Sequence, residues 1–243
     1  MVARSEPIEL SRVAPRFVSR GGEKLQAALD RFGVDVGGRR ALDVGASTGG
    51  FTDCLLQNGV SSVVAVDVGH SQLHERLRAD PRVISHERLD VRDVDLGVVG
   101  GVPFDVVTAD LSFISATKAI PVLCGEIADT GAAVIILVKP QFEAGRAEAS
   151  RGRGVIRDPR IHRRTLEEVA VALVAAGAEI VGVMPSPITG SAGNIEFLMM
   201  ARAPGASAGS DPAARSATVT PAGDTPELLD AVVDEAQQWY RNG

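Results

Sequence analysis

Lysine is almost missing from this 243-residue chain: there are three, at positions 24, 118 and 139, against twenty-two arginines. Solvent-facing positive positions have nearly all been filled by arginine. A lysine that remains is a candidate for work that needs a compact amine able to lose its proton, with chance retention as the alternative. Cysteine is scarce too. Cys54 and Cys124 lie on apolar helical stretches without metal-like spacing, which fits buried thiols in a reducing compartment and gives no zinc site. His70, His74 and His86 show no ligand pattern, so no metal is expected. Long hydrophobic runs are also lacking. Runs such as Ala132 to Val138 are too short to cross a bilayer, and Arg4, Glu6, Glu9 and Arg12 rule out a signal-peptide core at the N-terminus. A cytoplasmic protein with no membrane association is expected.

Net charge is −6, which argues against a globally basic nucleic-acid protein, but the charge is unevenly placed. Arg146 to Arg164 holds seven arginines against Glu148 and Asp158, whereas Asp211 to Glu235 holds six carboxylates and one arginine. A local basic stripe can bind phosphates despite an acidic total; a solvated loop and helix start is the other reading. A hydrophobic content of 45% supports one sizeable α/β domain with appendages.

The chain is organised around residues 41–51, where Ala41, Leu42 and Val44 form a buried strand that runs into a glycine-rich turn and then a helix from Phe51 to Leu56. Gly45, Gly49 and Gly50 permit the tight turn, and the helix amides face the crevice. Asp43, near the strand's end, can receive a positively charged amino group. A dinucleotide G-x-G-x-x-G motif would need a glycine at Ser47. The Asp-x-Gly-x-x-x-Gly turn instead resembles motif I of S-adenosylmethionine-dependent methyltransferases; a dinucleotide turn or a purely structural one are the alternatives.

Before this cradle, residues 1–16 lack periodicity and read as an arm. Ser19-Arg20-Gly21-Gly22 reads as a flexible turn that brings Lys24, on a helix over Glu23–Phe32, above a site. After it, Ser62–Asp67 reads as a strand whose terminal carboxylate is placed to accept ribose hydroxyls. Gln72–Ala79 reads as a helix, Arg82–His86 as a strand, and Asp90 begins a loop able to meet an adenine amino group. Phe104–Ala109 is a strand ending at Asp110, Ser115–Ala128 a helix troubled by Pro121, and Ala132–Val138 a buried strand ending at Lys139. Asp110 and Lys139 thus share the strand edge where the cradle lies. A polar loop over 143–158, long enough to be a flap, precedes a helix from Pro159 to Gly177. Ile180–Met184 and Ile195–Ala201 form an antiparallel pair. From Pro204 to Pro226 the composition is that of a disordered linker, and Leu228 to Trp239 that of an amphipathic acidic helix.

Five motifs occur in sequence: Ser-Arg-Gly-Gly-x-Lys-Leu, Leu-Asp-Val-Gly-Ala-Ser-Thr-Gly-Gly-Phe-Thr-Asp, Asp-x-Ser-Phe-Ile-Ser, Val-Lys-Pro-Gln-Phe-Glu and Gly-Asn-x-Glu-Phe-Leu. Together they closely resemble the TlyA family, named as hemolysins but acting as ribosomal RNA 2′-O-methyltransferases within the FtsJ/RrmJ class. The resemblance implies a Rossmann-like α/β methyltransferase fold with a seven-stranded, mostly parallel sheet and an antiparallel last strand. It implies a catalytic tetrad of Lys24, Asp110, Lys139 and Glu196. It also implies S-adenosylmethionine in the cradle: Asp43, Gly45, Ala46, Ser47, Thr48, Gly49, Gly50 and Phe51 around the methionine end, Asp67 at the ribose and Asp90 near the adenine. Domains are expected at 1–16 (arm), 17–203 (methyltransferase), 204–226 (linker) and 227–243 (helix). The family's small N-terminal RNA-binding domain has no counterpart before Phe17, so RNA would be held by Arg146, Arg151, Arg153 and Arg157. A methyltransferase for a small hydroxylated metabolite is the alternative, whereas a membrane-lytic role has no apolar segment to support it.

Overall fold

The computed structural model describes residues 15–204 and 225–242, apart from the side chains of Arg146, Arg241 and Asn242. Its strands are β1 (Arg40–Val44), β2 (Ser62–Asp67), β3 (Val83–Glu87), β4 (Phe104–Ala109), β5 (Ala128–Val138), β6 (Glu179–Pro185) and β7 (Phe197–Arg202). They make one sheet in the order β3-β2-β1-β4-β5-β7-β6. β7 is antiparallel to β5 and β6, and the other neighbours are parallel. Strand order reverses between β1 and β4, the switch point at which open α/β sheets form a ligand crevice beyond the strand carboxyl ends.

Helices cover both faces. On one lie α1 (Gly21–Phe32), α2 (Gly50–Gln57) and α3 (Glu75–Arg78); on the other lie α4 (Ile120–Leu123), α7 (Pro159–Ala175) and α8 (Thr225–Asn242). The short α5 (Pro140–Glu143) and α6 (Arg146–Arg151) follow directly on the end of β5. The layers follow from the two-residue period of a strand. In β5, Ala133, Ile135 and Leu137 pack with Leu25, Leu29 and Leu55 of α1 and α2, while Val134, Ile136 and Val138 pack with Leu166, Val169 and Val232 of α7 and α8. The same alternation puts Asp43, Asp110, Lys139 and Glu196 on the α1 side.

Two glycines let α1 settle there. A Cβ on Gly22 would lie 2.2 Å from the Phe17 ring, and one on Gly50 would lie 2.3 Å from Ser19 Oγ and 2.9 Å from the Gly22 amide. The glycines expected to make residues 19–22 flexible therefore do the opposite: Gly21 and Gly22 are the first turn of α1, packed against α2 and Phe17.

Several expected elements are shorter or broken. The helix over Ser115–Ala128 is a 3₁₀ turn (Ala116–Lys118), capped by Ser115, followed by the four-residue α4 with Pro121 in its first turn. A side chain at Gly125 would meet Pro121 O at 2.6 Å, and β5 begins as early as Ala128. The helix over Gln72–Ala79 shrinks to α3, capped by His74. The polar 143–158 segment contains α6, and Glu196 falls just outside β7. The linker expected at 204–226 lies outside the described residues over 205–224, and α8 begins at Thr225. The arm lies outside them up to residue 14. Cys54 and Cys124 are buried free thiols, each pushed up to about 12 by burial.

These contacts predict a contrast between adjacent glycines. Gly22→Ala should cost about 1–3 kcal/mol in urea unfolding, because Phe17 must move to admit the methyl group. Gly21→Ala should be neutral or slightly stabilising, because its Cβ would meet Phe51 and Ser19 at 3.5 Å, an ordinary contact. Equal stabilities for the two variants would mean that Phe17 does not fix α1.

Candidate active site

A cavity of about 980 Å³ opens beyond the carboxyl ends of β1, β2 and β4. Its floor is the turn after β1. Gly45 has φ 79°, and a Cβ there would lie 2.5 Å from Asp110 O, so the glycine lets the turn lie against the end of β4. Asp110 N donates to Val44 O at 2.9 Å and completes that junction. Asp67 joins the neighbouring turns: its carboxylate accepts from Ser47 N at 2.8 Å and Gly69 N at 2.6 Å while remaining partly open to the cavity. Asp90 also lines the cavity. It caps the 3₁₀ turn Val91–Asp93, and the Arg92 guanidinium holds its carboxyl down at about 2.

Of the expected cofactor contacts, Gly45, Ser47, Asp67 and Asp90 line this cavity, and Ala46, Thr48, Gly49, Gly50 and Phe51 do not. Gly49, at φ 96°, gives room to Leu77, whose Cδ1 would lie 2.2 Å from a Cβ; Phe51 is part of the core. Asp43 is sealed beneath the turn. It accepts from Thr52 Oγ1 at 2.7 Å and Thr108 Oγ1 at 3.0 Å, so it ties β1 to α2 and β4 instead of facing a ligand. Burial pushes its carboxyl up to about 6; the threonine hydroxyls oppose the shift and Asp110 adds to it.

The four tetrad residues meet as two ion pairs beside the cavity: Asp110 lines it, whereas Lys24, Lys139 and Glu196 are buried behind its wall. Lys139 Nζ lies 2.5 Å from Asp110 Oδ1 and donates to Ser112 Oγ at 3.0 Å, and both of these partners line the cavity. Lys24 Nζ lies 2.5 Å from Glu196 Oε2, with both side chains buried. Gln141 Nε2 reaches the other Glu196 oxygen at 3.4 Å, and a Cβ at Gly190 would lie 2.5 Å from that same oxygen. Val138 pairs with Phe197, so the ladder delivers Lys139 and Glu196 side by side. Lys118, the third lysine, also lines the cavity.

Gly145 and Ala149 of the arginine-rich segment form part of the cavity wall. Arg160, Arg163 and Arg164 are paired with Asp158, with Glu167 and Asp230, and with Glu148 and Glu168, respectively. Arg151, Arg153 and Arg157 are exposed, and among the described residues they form no ion pair. The Arg146 side chain lies outside the description.

Sequence reasoning passed over Phe113. It is 92% exposed at φ 68°, lines the cavity, and its ring lies 5.4 Å from that of Phe142. A bulky residue held in the left-handed region with its ring in solvent is a strained and unusual placement. Its motif marked it only as one of several loop residues. Among the described residues no cluster of His, Cys, Asp and Glu could hold a metal, and no helix is long and apolar enough to cross a membrane.

The family model described as FtsJ-like methyltransferase matches residues 17–203. A 16S/23S rRNA (cytidine-2′-O)-methyltransferase, TlyA of Mycobacterium tuberculosis, is 46% identical over 186 residues, which cover 76% of this chain and 68% of the relative. A solved structure of a hemolysin-named protein from Streptococcus thermophilus superposes with a TM-score of 0.83 at 39% identity and covers 94% of this chain and 77% of that one. At the level of fold alone, a structure named as an S-adenosylmethionine-dependent methyltransferase from Listeria monocytogenes matches with a TM-score of 0.55 at 15% identity, over 75% of this chain and 97% of that one.

The sealed carboxylate gives a pH test. With its folded pKa raised from 3.8 to about 6, Asp43 binds its proton more tightly in the native state. Its contribution is therefore complete below the unfolded value and lost as pH rises through about 6. Asp43→Asn cannot ionise, so its stability relative to wild type should rise between acid and neutral pH, by up to about 3 kcal/mol. Urea unfolding at several pH values checks this, and a pH-independent difference would show that Asp43 does not titrate there.

Proposed function

The chain belongs to the FtsJ-like methyltransferase family, and from that premise we propose that it transfers a methyl group from S-adenosylmethionine to a ribose 2′-hydroxyl of ribosomal RNA. The observation that carries the reading is the placement of Lys139. Asp110 and Ser112 hold its amine at the edge of a cavity large enough for a nucleoside cofactor and an acceptor nucleotide together.

The residues present fit the cofactor. Asp67 offers a carboxylate at the end of the second strand for two ribose hydroxyls, Asp90 offers an acceptor for the adenine amine, and the backbone at Gly45 leaves room for the methionine end. When bound, S-adenosylmethionine supplies an electrophilic methyl carbon on a sulfonium sulfur. Lys139 fixes the acceptor oxygen in line with that carbon, and orientation is the larger part of its work. Transfer would break the methyl group's bond to sulfur, leaving a neutral thioether, as the carbon–oxygen bond forms; the hydroxyl proton would pass to a neutral Lys139 or, where Lys139 is an ammonium that stabilises the developing oxyanion, to water. Asp110 and Ser112 aim the amine, and the Lys24–Glu196 pair lies buried behind the site on the α1 side. Arg151, Arg153 and Arg157 offer phosphate contacts, and Phe113 offers a face on which the target base can stack. With ribosomal RNA as its substrate, the protein would act in the cytoplasm.

Labelled S-adenosylmethionine incubated with ribosomal subunits and, separately, with a small-molecule extract tests the substrate class. Label is expected in ribosomal RNA as an alkali-resistant 2′-O-methyl nucleotide; label in the extract alone would assign the enzyme to metabolite methylation. Asp67→Ala should weaken cofactor binding by about 1.5–3 kcal/mol in calorimetry. Phe113→Ala should leave that affinity unchanged and cost about 1–3 kcal/mol in RNA affinity. Lys139→Ala should lose most turnover while still binding the cofactor. Lys139→Arg separates the two roles of the amine: an inactive variant supports proton transfer, and an active one leaves the electrostatic role.

A further inference from the structure

Asn194 lies two residues before Glu196 and is 2% exposed, yet it lines no part of the cavity. Its carboxamide spans the backbone of the arginine-rich loop instead. Oδ1 accepts from Ile156 N at 2.9 Å, and Nδ2 donates to Gly154 O at 2.9 Å. Only one orientation of the amide satisfies both bonds, so the side chain acts as a fixed bracket. Its own carbonyl accepts from Gly190 N at 2.9 Å, and Gly190 is the glycine whose missing side chain makes room for Glu196.

The bracketed stretch follows the end of α6. Arg153 at φ 51° and Gly154 at φ 85° close that helix, with Arg153 N donating to Ser150 O at 3.1 Å and Gly154 N to Ala149 O at 2.8 Å, and the bracket fixes the chain just beyond. Ile156 O accepts from the buried His162 Nε2 at 3.0 Å, so residues 154–156 are pinned at three backbone atoms. Arg153 and Arg157 flank this stretch, exposed and outside the ion pairs that occupy the arginines of α7.

We propose that Asn194 is a positioning residue for the RNA face: its bracket sets Arg153 and Arg157 in register with the tetrad, two residues from Glu196. The inference rests on the reading of the protein as an RNA methyltransferase. Asparagine suits the task because it presents one donor and one acceptor on a short stem. An aspartate of the same shape would turn a carboxylate oxygen toward the Gly154 carbonyl and break one half of the bracket.

The test is a mutant cycle on the full chain, with ribosomal RNA binding measured across a salt series and cofactor affinity measured in parallel. Arg153→Ala with Arg157→Ala should flatten the log–log salt slope by about one to two units, since each phosphate contact contributes roughly 0.7–0.9. Asn194→Asp alone should weaken RNA binding about tenfold and flatten the slope to a similar extent, with cofactor affinity unchanged. Adding the arginine substitutions to Asn194→Asp should then cause little further loss, because the contacts are already misplaced. A merely loosened fold would lower the active fraction without altering the slope. Asn194→Ser, which shortens the bracket without adding charge, should fall between wild type and Asn194→Asp. A wild-type slope for Asn194→Asp, or losses that multiply in the combined variant, would overturn the inference alone. If the arginine substitutions leave RNA binding unchanged in the wild-type background, the RNA-face reading falls and the inference with it.

Discussion

Lys24 and Glu196 are 172 positions apart in the chain and meet in a buried ion pair, with the Lys139–Asp110 pair on the adjoining strand ends. Two such pairs are a poor source of stability. Removing a lysine and a carboxylate from water costs several kcal/mol per ion, and well-packed apolar residues often do as well or better. Breaking a buried pair by removing one partner is a different matter and costs about 3–5 kcal/mol. The arrangement therefore constrains everything around it. α1 must dock closely enough for Lys24 to reach the last strand, which the contacts at Gly22 and Gly50 allow, and Gly190 must lack a side chain for Glu196 to fit.

A second set of polar contacts lies beneath the cavity. Asp43, Thr52 and Thr108 fasten β1, α2 and β4 to one another, and Asp67 fastens the turns that follow β1 and β2. The Asp43 contacts are hidden and the Asp67 carboxylate is half open. The Asp43 cluster gives the turn its shape, and the Asp67 carboxylate remains available to a ligand. Catalysis by positioning needs both, because an acceptor oxygen and a methyl carbon must be aligned by groups that cannot drift.

Much of this could be read from the residues. The strands Ser62–Asp67 and Phe104–Ala109 have the expected limits, and strand alternation is enough to put Asp110 and Lys139 on one face of one edge. Asp43 shows where local reading ends. A carboxylate near the end of a strand looks the same in sequence whether it faces a ligand or two threonines, and only the packing of α2 and β4 decides. Residues 19–22 show the same limit: glycine permits flexibility in isolation, but at Gly22 it permits close contact, because Phe17 occupies the space a side chain would need. Phe113 was missed because exposure is a tertiary property; in Leu111-Ser112-Phe113-Ile114 an aromatic beside an isoleucine reads as readily as part of the core. Pro121 did announce a broken helix, though not that only one turn would survive after it.

In the proposed mechanism the buried Lys24–Glu196 pair behind the site backs the Lys139–Asp110 pair, so it should serve the reaction and not the binding of the cofactor. Glu196→Gln keeps the shape and removes the charge, so it addresses that claim most directly. In single-turnover methylation of ribosomal RNA, with cofactor affinity measured on the same protein, the account predicts a rate lower by about 100-fold or more and an affinity close to wild type. A wild-type rate, or a loss explained entirely by weaker cofactor binding, would contradict it.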